Sequence, residues 1–297
     1  MYIVAAGFLW GIIPLFVQQL SAIGFSSLEV VALRVWFSAF AMVLILFIKN
    51  KKLLVISLKD TIHFIGTGIM SLLFFNYCYF ETMTNSNVSM AVLLLYTSPI
   101  FVMLISLVIL KEKMNKNKII ALIFTLIGLG FITGFFNQSI SISSRVILFG
   151  LGSGLGYALY SIFGKILLKK YHTLTITTYT FVFASIGVLP FIRFEQFKQL
   201  LFFENILLAL SIAIICTVLP YLAYTKGLET VEASHAAIIV TIEPLVGVLL
   251  GIVIFNESMD IGKFIGMICI FTSILVLNMR SKRIGKKNKI GEMANHL

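Results

Sequence analysis

Charged side chains are scarce in this chain. Only 12% of its 297 residues are Asp, Glu, Lys or Arg, and 59% are hydrophobic. Soluble globular domains carry about 25% charged residues, because a charged surface is what keeps them dispersed in water. The composition therefore excludes a water-soluble domain and predicts an all-α protein embedded in a lipid bilayer.

Cysteine and catalytic motifs are also scarce. Cys78, Cys216 and Cys269 lie far apart inside apolar runs, which predicts small core residues and neither a disulfide nor a metal site. The chain has no HExxH metal helix, no GxSxG elbow and no Walker loop. We therefore expect no enzyme activity, no metal and no cofactor. The GLGSGLG stretch at residues 150–156 predicts close helix packing, as do Gly247 and Gly251.

The net charge of +11 arises from 23 basic and 12 acidic residues. In a soluble protein such an excess suggests nucleic acid, but these Lys and Arg residues lie in short connections between apolar runs. Residues 281–297 are basic and contain no aromatic side chain that would stack on bases. We expect a cytoplasmic tail that contacts anionic lipid, and no nucleic-acid partner.

Long apolar runs recur along the chain, and windows of about 19 residues predict ten membrane spans. They are residues 2–20, 28–48, 61–81, 88–110, 117–136, 146–168, 174–193, 205–225, 233–255 and 261–279.

The distribution of Lys and Arg predicts the orientation, because basic residues cross the membrane reluctantly during insertion. If the amino terminus is cytoplasmic, 18 of the 23 basic residues lie on the inner side, four lie on the outer side and Arg34 lies within a span. We therefore expect a multi-pass protein of the cell membrane with both termini inside. The four outer residues are Arg145, Arg193, Lys198 and Lys263.

The two halves of the chain resemble each other when the sequence is shifted by 145 positions. Twelve identities occur in 45 ungapped positions, and the polar and proline matches fall at equivalent places in the predicted spans. They are Tyr79/Tyr224, Ser89/Ser234, Ala91/Ala236, Pro99/Pro244, Leu104/Leu249, Val108/Val253, Ile109/Ile254, Glu112/Glu257, Met114/Met259, Lys118/Lys263, Ile120/Ile265 and Ile123/Ile268.

This duplication predicts two five-helix repeats, at residues 1–136 and 145–280. Since five is an odd number, the second repeat enters the membrane from the opposite side. Inverted repeats of this kind allow one central site to face alternate sides of the membrane. The sequence thus predicts a secondary transporter that works by alternating access.

Several motifs are similar to those of the EamA-type family of the drug/metabolite transporter superfamily, and the similarity covers residues 1–280. They are Trp10 with Gly11, residues 31–40 (VALRVWFSAF), residues 242–249 (IEPLVGVL) and Glu257. The resemblance implies a ten-helix carrier for small organic solutes, often exported amino acids or related metabolites, with a central cavity. The family often has Lys eight residues after the Trp, where this chain has Gln18; Lys165 occupies the equivalent place in the second half.

Glu243 is the sharpest candidate site residue, because an ionised carboxyl near the middle of a span is costly unless it is paired, hydrated or protonated. It is either a proton- or substrate-binding group or a neutral group that hydrogen-bonds between helices. Pro99 and Pro244 are candidate flex points, with a static kink as the alternative.

Arg34 and His235 are further candidates within spans. The fixed charge of Arg34 calls for an anion, which is either a substrate carboxylate or a structural partner such as Glu243 or Glu29. His235 either relays protons or makes an interfacial hydrogen bond.

Amphipathic side chains within the spans provide surface for a zwitterion or an aromatic metabolite, or else serve as packing and interfacial anchors. Asn76 and Tyr221 stand out because they are 145 positions apart, at equivalent places in the two halves. The full set is Trp10, Trp36, Asn76, Tyr77, Tyr79, Tyr96, Tyr221 and Tyr224.

Two other classes of function remain open at this stage. A membrane enzyme acting on a lipid would need carboxylates, His or Lys converging near one interface. An accessory membrane protein without a substrate would have a sealed, fully packed interface between the halves. The expected partners of a transporter are a small-molecule substrate, the bilayer and a coupling ion such as the proton.

Overall fold

A computed structural model describes residues 1–137 and 143–279, and every regular element in those ranges is helical. Nine of the helical segments are long and apolar enough to cross a membrane, which confirms the predicted all-helical membrane fold. In chain order they are α1 (Tyr2–Ala22), α2 (Ser27–Lys49), α3 (Leu58–Asn85), α4 (Val88–Leu110), α6 (Ser144–Leu167), α7 (Thr173–Phe191), α8 (Phe203–Thr230), α9 (Ala233–Ile254) and α10 (Ile261–Asn278). A shorter helix, α5 (Lys116–Ile132), lies between α4 and α6 in the chain. The predicted tail, residues 281–297, lies outside the described residues.

Helix α5 corresponds to the fifth predicted span but has only 17 residues. At 1.5 Å per residue it is about 25 Å long, against about 30 Å for the hydrocarbon core of a bilayer. It packs along α10, where Gly128 and Gly266 bring the two backbones together. The count of ten spans therefore remains a proposal that depends on α5.

Three segments are interrupted near their middle. Segment α1 consists of the helices Tyr2–Gly11 and Ile13–Ala22. Segment α4 consists of Val88–Leu95 and Ser98–Ile105, followed by a π-helical turn. Segment α9 consists of Ala233–Ile239 and Ile242–Phe255. Proline lacks an N–H and cannot complete the helical hydrogen bond to the preceding turn. The interruptions in α4 and α9 thus lie just before Pro99 and Pro244; movement at these prolines stays a prediction.

Other departures from α-helical geometry are local. The π-helical stretches are Gly66–Leu73 in α3, Ser106–Leu110 in α4 and Ile214–Val218 in α8. The 3-10 helices are Lys51–Leu54, Leu58–Asp60, Phe135–Asn137, Leu189–Phe191 and Phe194–Leu201.

Equivalent positions in the two halves share unusual backbone conformations. Lys111 and Asn256, which are 145 positions apart, have φ of 55° and 52° and are the two non-glycine residues with positive φ in the described ranges. Asn115 caps α5 by accepting from Lys118 N at 2.9 Å, and Asp260 caps α10 by accepting from Lys263 N at 2.7 Å. The ends of α4 and α9 therefore lead into α5 and α10 by the same turn.

Helices α5 and α10 run antiparallel to each other. Asn117, at the start of α5, donates from Nδ2 to Val276 O near the end of α10, at 3.1 Å. Farther along α5, Thr125 donates to Ser273 Oγ at 3.0 Å. The end of α5 then reaches the start of α10, where Phe131 O lies 3.4 Å from the Cβ position of Gly262.

Candidate functional site

Five aromatic side chains from three helices meet in the interior, and we call them the aromatic cluster. The ring of Trp10 lies 5.2 Å from Tyr221, 5.4 Å from Tyr224 and 6.2 Å from Tyr157, and Tyr160 lies 4.9 Å from Tyr221. They enclose a cavity of about 10 Å³, roughly the space of one water molecule. Its walls are Trp10, Ser71, Phe75, Tyr157, Tyr160, Ser161, Tyr221 and Tyr224.

Hydroxyl pairs hold part of this cluster in place. The hydroxyl groups of Tyr160 and Thr225 are 2.6 Å apart, and those of Ser161 and Tyr224 are 2.7 Å apart. Both pairs join α6 to α8. Because buried hydroxyls are costly without a partner, these bonds fix the rotamers of the two tyrosines.

Glu243 lies beside the aromatic cluster, in the first turn of the second piece of α9. Its side chain is partly buried, and the Tyr157 hydroxyl donates to Oε2 at 3.3 Å. The hydroxyl of Tyr96, next to the interruption in α4, faces the same carboxyl group. The carboxyl thus lies where the interrupted centres of α4 and α9 and the middle of α6 approach each other.

Two glycines bring α1 against the same turn of α9. A Cβ atom at Gly7 would lie 2.5 Å from Cγ2 of Ile242, and one at Gly11 would lie 2.5 Å from Cβ of Val246. Glycines four residues apart on one helix face allow another helix this close approach. The residue next to Trp10 in α1 therefore lies against the backbone of Glu243 in α9, because a Cβ atom at Gly11 would lie 2.8 Å from Glu243 O.

The other predicted glycine contacts divide into two groups. The GLGSGLG stretch packs as predicted: a Cβ at Gly156 would lie 2.9 Å from Cβ of Phe75, and one at Gly154 would lie 3.0 Å from Leu94 O. The prediction for Gly247 is wrong, because nothing lies within 4 Å of its Cβ position. Gly247 is one helical turn beyond Glu243 on the same face of α9, and its Cβ position faces open space.

Arg34 is held by a neutral partner. Its Nε donates to Thr217 Oγ1 of α8 at 3.0 Å, and no carboxylate of the described residues lies within 4.0 Å of its guanidinium group. The Oε2 atom of Glu29 instead accepts from Ser26 N and Ser26 Oγ, both at 2.8 Å, as a cap of α2. Neither predicted structural pair, Arg34 with Glu29 or Arg34 with Glu243, is present in this structure.

Asn76 and Tyr77 point in different directions, since successive side chains of a helix are about 100° apart. Asn76 is buried and donates to Leu72 O of its own helix at 2.7 Å. Tyr77 is 36% exposed and packs against Phe149 and Phe191, at 6.1 Å from each ring. Tyr77 therefore lies apart from the aromatic cluster, and its ring packing is the second of the two roles predicted for these side chains.

A second polar site lies where α4 ends and α9 begins. Glu112 accepts from Ala233 N at 2.6 Å, from Ser234 N at 3.1 Å and from the Ser234 hydroxyl at 2.5 Å. We call this contact the Glu112 cap. Lys118, whose side chain is 1% exposed, lies 3.8 Å from Glu112 and 2.8 Å from Glu232. Glu112 thus both caps α9 and pairs with Lys118, and its side chain is only 7% exposed.

His235 belongs to this second site. Its Nδ1 atom lies 2.9 Å from Oε2 of Glu232. This contact corresponds to the interfacial hydrogen bond, which was one of the two roles predicted for His235. Burial alone would raise the pKa of Glu232, but the hydrogen bond and charge of Lys118, together with His235, outweigh it and lower that pKa below its usual value.

A cleft of about 400 Å³ opens at the same end of the molecule. Lys165 lies in its wall, and its Nζ donates to Val231 O at 2.9 Å and to Leu228 O. Those carbonyl groups lie in the last turn of α8 and just after it, so Lys165 is not directed at the aromatic cluster. The lining residues are Leu110, Lys111, Glu112, Lys165, Leu168, Lys169, Leu228, Glu229 and Glu232.

The contribution of α6 to the aromatic cluster was not predicted from the sequence. Tyr157, Tyr160 and Ser161 all line the small cavity. They are three and four residues apart, and the same spacing extends to Ser153 and Gly164. This polar stripe on one face of an apolar helix was the signal that could have identified them.

Comparisons with known proteins agree with this architecture. The model of the EamA-like transporter family matches residues 1–134 and 144–279. An uncharacterized transporter of Archaeoglobus fulgidus is 28% identical over 279 residues, covering 92% of this chain and 94% of the relative. The uncharacterized inner membrane transporter YicL of Salmonella typhimurium is 23% identical over 287 residues, 95% of each chain. A crystal structure matches with a TM-score of 0.78 and 14% identity, covering 95% of this chain and 97% of the other, which shows a shared fold.

Proposed function

The chain belongs to the EamA-like transporter family, and from this premise we propose that it is a secondary transporter that exports a small organic solute by alternating access. The solute class we propose is an amino acid or a related metabolite. The observation that carries the proposal is Glu243, a carboxyl group at a helix interruption that accepts a hydrogen bond from Tyr157 of the aromatic cluster and lies one turn before the open space at Gly247.

The proposed architecture is a pair of inverted five-helix repeats with α5 as the fifth span. It is supported by the matched φ angles of Lys111 and Asn256, by the matched caps of α5 and α10, and by the antiparallel packing of those two helices. Two halves with similar internal structure can exchange conformations at a small difference in free energy.

The proposed binding region lies between Glu243 and the aromatic cluster. A solute ammonium group would pair with the Glu243 carboxylate and lie against the faces of Trp10 and Tyr157, where cation–π attraction adds to the charge pair. A transported proton would compete for the same carboxylate, so the group suits both solute recognition and coupling. Arg34, held by Thr217, is available for the solute carboxylate after local rearrangement.

The two ends of the molecule differ in how tightly α4 and α9 approach. At the Glu112 end, the cap joins the two segments, and Met103 of α4 and Ile238 of α9 share one hydrophobic cluster. Toward the other end, Gly247 faces open space. We infer a conformation in which the interface between α4 and α9 is closed at the Glu112 end, beside the cleft that Lys165 lines. From the distribution of Lys and Arg, we propose that this end lies on the cytoplasmic side of the cell membrane and that both termini are cytoplasmic.

The proposal is tested by flux through purified protein in liposomes, with each common amino acid radiolabelled in turn and with or without an imposed proton gradient. Glu243→Gln keeps the size of the side chain but removes its charge, and we expect it to lower flux at least about tenfold and to abolish its pH dependence. Glu195→Gln, the same change at an exposed residue of the Phe194–Leu201 helix, is the matched control.

The outcomes separate the parts of the proposal. Flux of no amino acid would overturn the proposed solute class. Equal flux and an unchanged pH profile in Glu243→Gln and wild type would remove Glu243 from the mechanism.

A further inference from the structure

The Glu112 cap connects the two halves of the chain. Glu112 follows α4 of the first half, whereas Ala233 and Ser234 begin α9 of the second half. The first N–H groups of a helix have no partner within the helix, and a carboxylate satisfies them while its charge favours that end of the helix dipole. The contact therefore closes one end of the interface between α4 and α9.

The sequence contains a second copy of the groups that make this contact. Glu257 and Lys263 lie 145 positions after Glu112 and Lys118 in the sequence. Ser89 lies 145 positions before Ser234. All three pairs are identities. The equivalent contact would join Glu257, after α9, to the first turn of α4, and it would lie at the opposite end of both segments.

This second contact is not made in the present conformation. The side chain of Glu257 is 53% exposed and lies 2.9 Å from Lys263. At the start of α4, Val88 is 57% exposed, and Asn87 accepts from Met90 N at 2.8 Å. The N–H groups of Val88 and Ser89 thus remain available to an incoming carboxylate, as those of Ala233 and Ser234 are to Glu112.

We propose that the two carboxylate caps form alternately: the Glu112 cap closes one end in this conformation, and a cap of Val88 and Ser89 by Glu257 closes the other end when the Glu112 cap is released. The inference rests on the proposed alternating access. Because one carboxylate–helix contact replaces an equivalent one, neither conformation loses its cap without gaining another. The pair of caps then sets the balance between the two conformations.

A reporter cysteine at Gly247 measures that balance. Its surroundings are open in this conformation and would become occluded when the Glu257 end closes. The background is a variant in which Cys78, Cys216 and Cys269 are replaced by alanine. Protein in nanodiscs is exposed to a polar maleimide, which reaches both faces, so the experiment does not depend on the orientation in the membrane.

The two caps should affect labelling in opposite directions. Glu112→Gln weakens the cap that is present, and we expect labelling of the reporter to slow by about threefold or more. Glu257→Gln weakens the alternate cap, and labelling should be unchanged or faster. Ser234→Ala and Ser89→Ala remove the opposite partner of each cap and should reproduce the two effects if a glutamate variant fails to fold. Glu195→Gln is the control.

Effects of the same sign in both glutamate variants, or no effect in either, would overturn the proposal, as would a reporter that is not labelled in the parent. Opposite shifts without flux of any solute would leave the exchange of caps standing and count against the transporter function. Flux together with effects of the same sign, or with no effect in either glutamate variant, would reject the exchange of caps alone.

Discussion

The hydroxyl of Tyr157 lies 3.3 Å from Oε2 of Glu243, while its ring lies 6.2 Å from that of Trp10. One side chain of α6 therefore contacts both the carboxyl group of α9 and the aromatic cluster. Any solute that binds between Glu243 and Trp10 would also meet Tyr157.

Tyr157→Phe should weaken solute binding by roughly tenfold, because a hydrogen bond to a charged group is worth about 1.5–3 kcal/mol. The ring and its packing against Trp10 and Phe75 are retained. Tyr77→Phe, at an exposed position against Phe149 and Phe191, is the matched control. The measurement is concentration-dependent thermal stabilisation by the solute, and equal binding by both variants would contradict the role of the hydroxyl.

Gly11→Ala should destabilise the protein by about 1–3 kcal/mol, since the new methyl group would overlap Val246 and lie 2.8 Å from Glu243 O. Gly247→Ala adds the same methyl group where nothing lies within 4 Å, and it should be neutral or slightly stabilising because alanine favours a helix. Apparent melting temperatures in detergent compare the two. Similar values for both variants would argue against the close packing of α1 on α9.

Lys118→Met should be strongly destabilising, because it leaves Glu112 buried without its cationic neighbour. Removing one partner of a buried ion pair typically costs about 3–5 kcal/mol. Lys263→Met is the control at the equivalent position, where Glu257 is 53% exposed and the pair should be worth about 1 kcal/mol or less. A comparable loss of thermal stability in both variants would contradict the buried role of Lys118.

Glu232 should make stability depend on pH. Its pKa is lowered in the folded protein by Lys118 and His235, against the opposing effect of burial, so the stabilisation is present above the usual value of 4.5 and is lost as the pH falls through the lower, folded pKa. The Glu232 side chain is 46% exposed, so the effect should stay below about 1 kcal/mol.

Glu232→Gln is the corresponding variant. It should melt at a lower temperature than wild type at pH 7, and the difference should shrink as the pH is lowered below about 4.5. A difference that grows on acidification would show that the pKa of Glu232 is raised rather than lowered.

Local features of the fold were predictable from the sequence. Apolar runs of sufficient length identified the membrane segments, because a backbone in hydrocarbon must satisfy its own hydrogen bonds. Pro99 and Pro244 located the interruptions of α4 and α9, since proline removes a helical hydrogen bond at a known place. The family could also be recognised from Trp10 and the residues around Glu243, because each of these motifs is contiguous in the chain.

Contacts between distant residues were decided by tertiary packing. Hydrophobic periodicity indicates which face of a helix is buried, but it does not indicate which helix covers that face. The contact of Tyr157 with Glu243 was therefore not predicted, and Arg34 bonds to Thr217 rather than to a carboxylate. Composition and spacing made this chain a membrane protein with two related halves. Only the crossing of α1, α6, α8 and α9 brought Trp10, Tyr157, Tyr221 and Glu243 together, because side chains up to 233 positions apart meet only where helices approach.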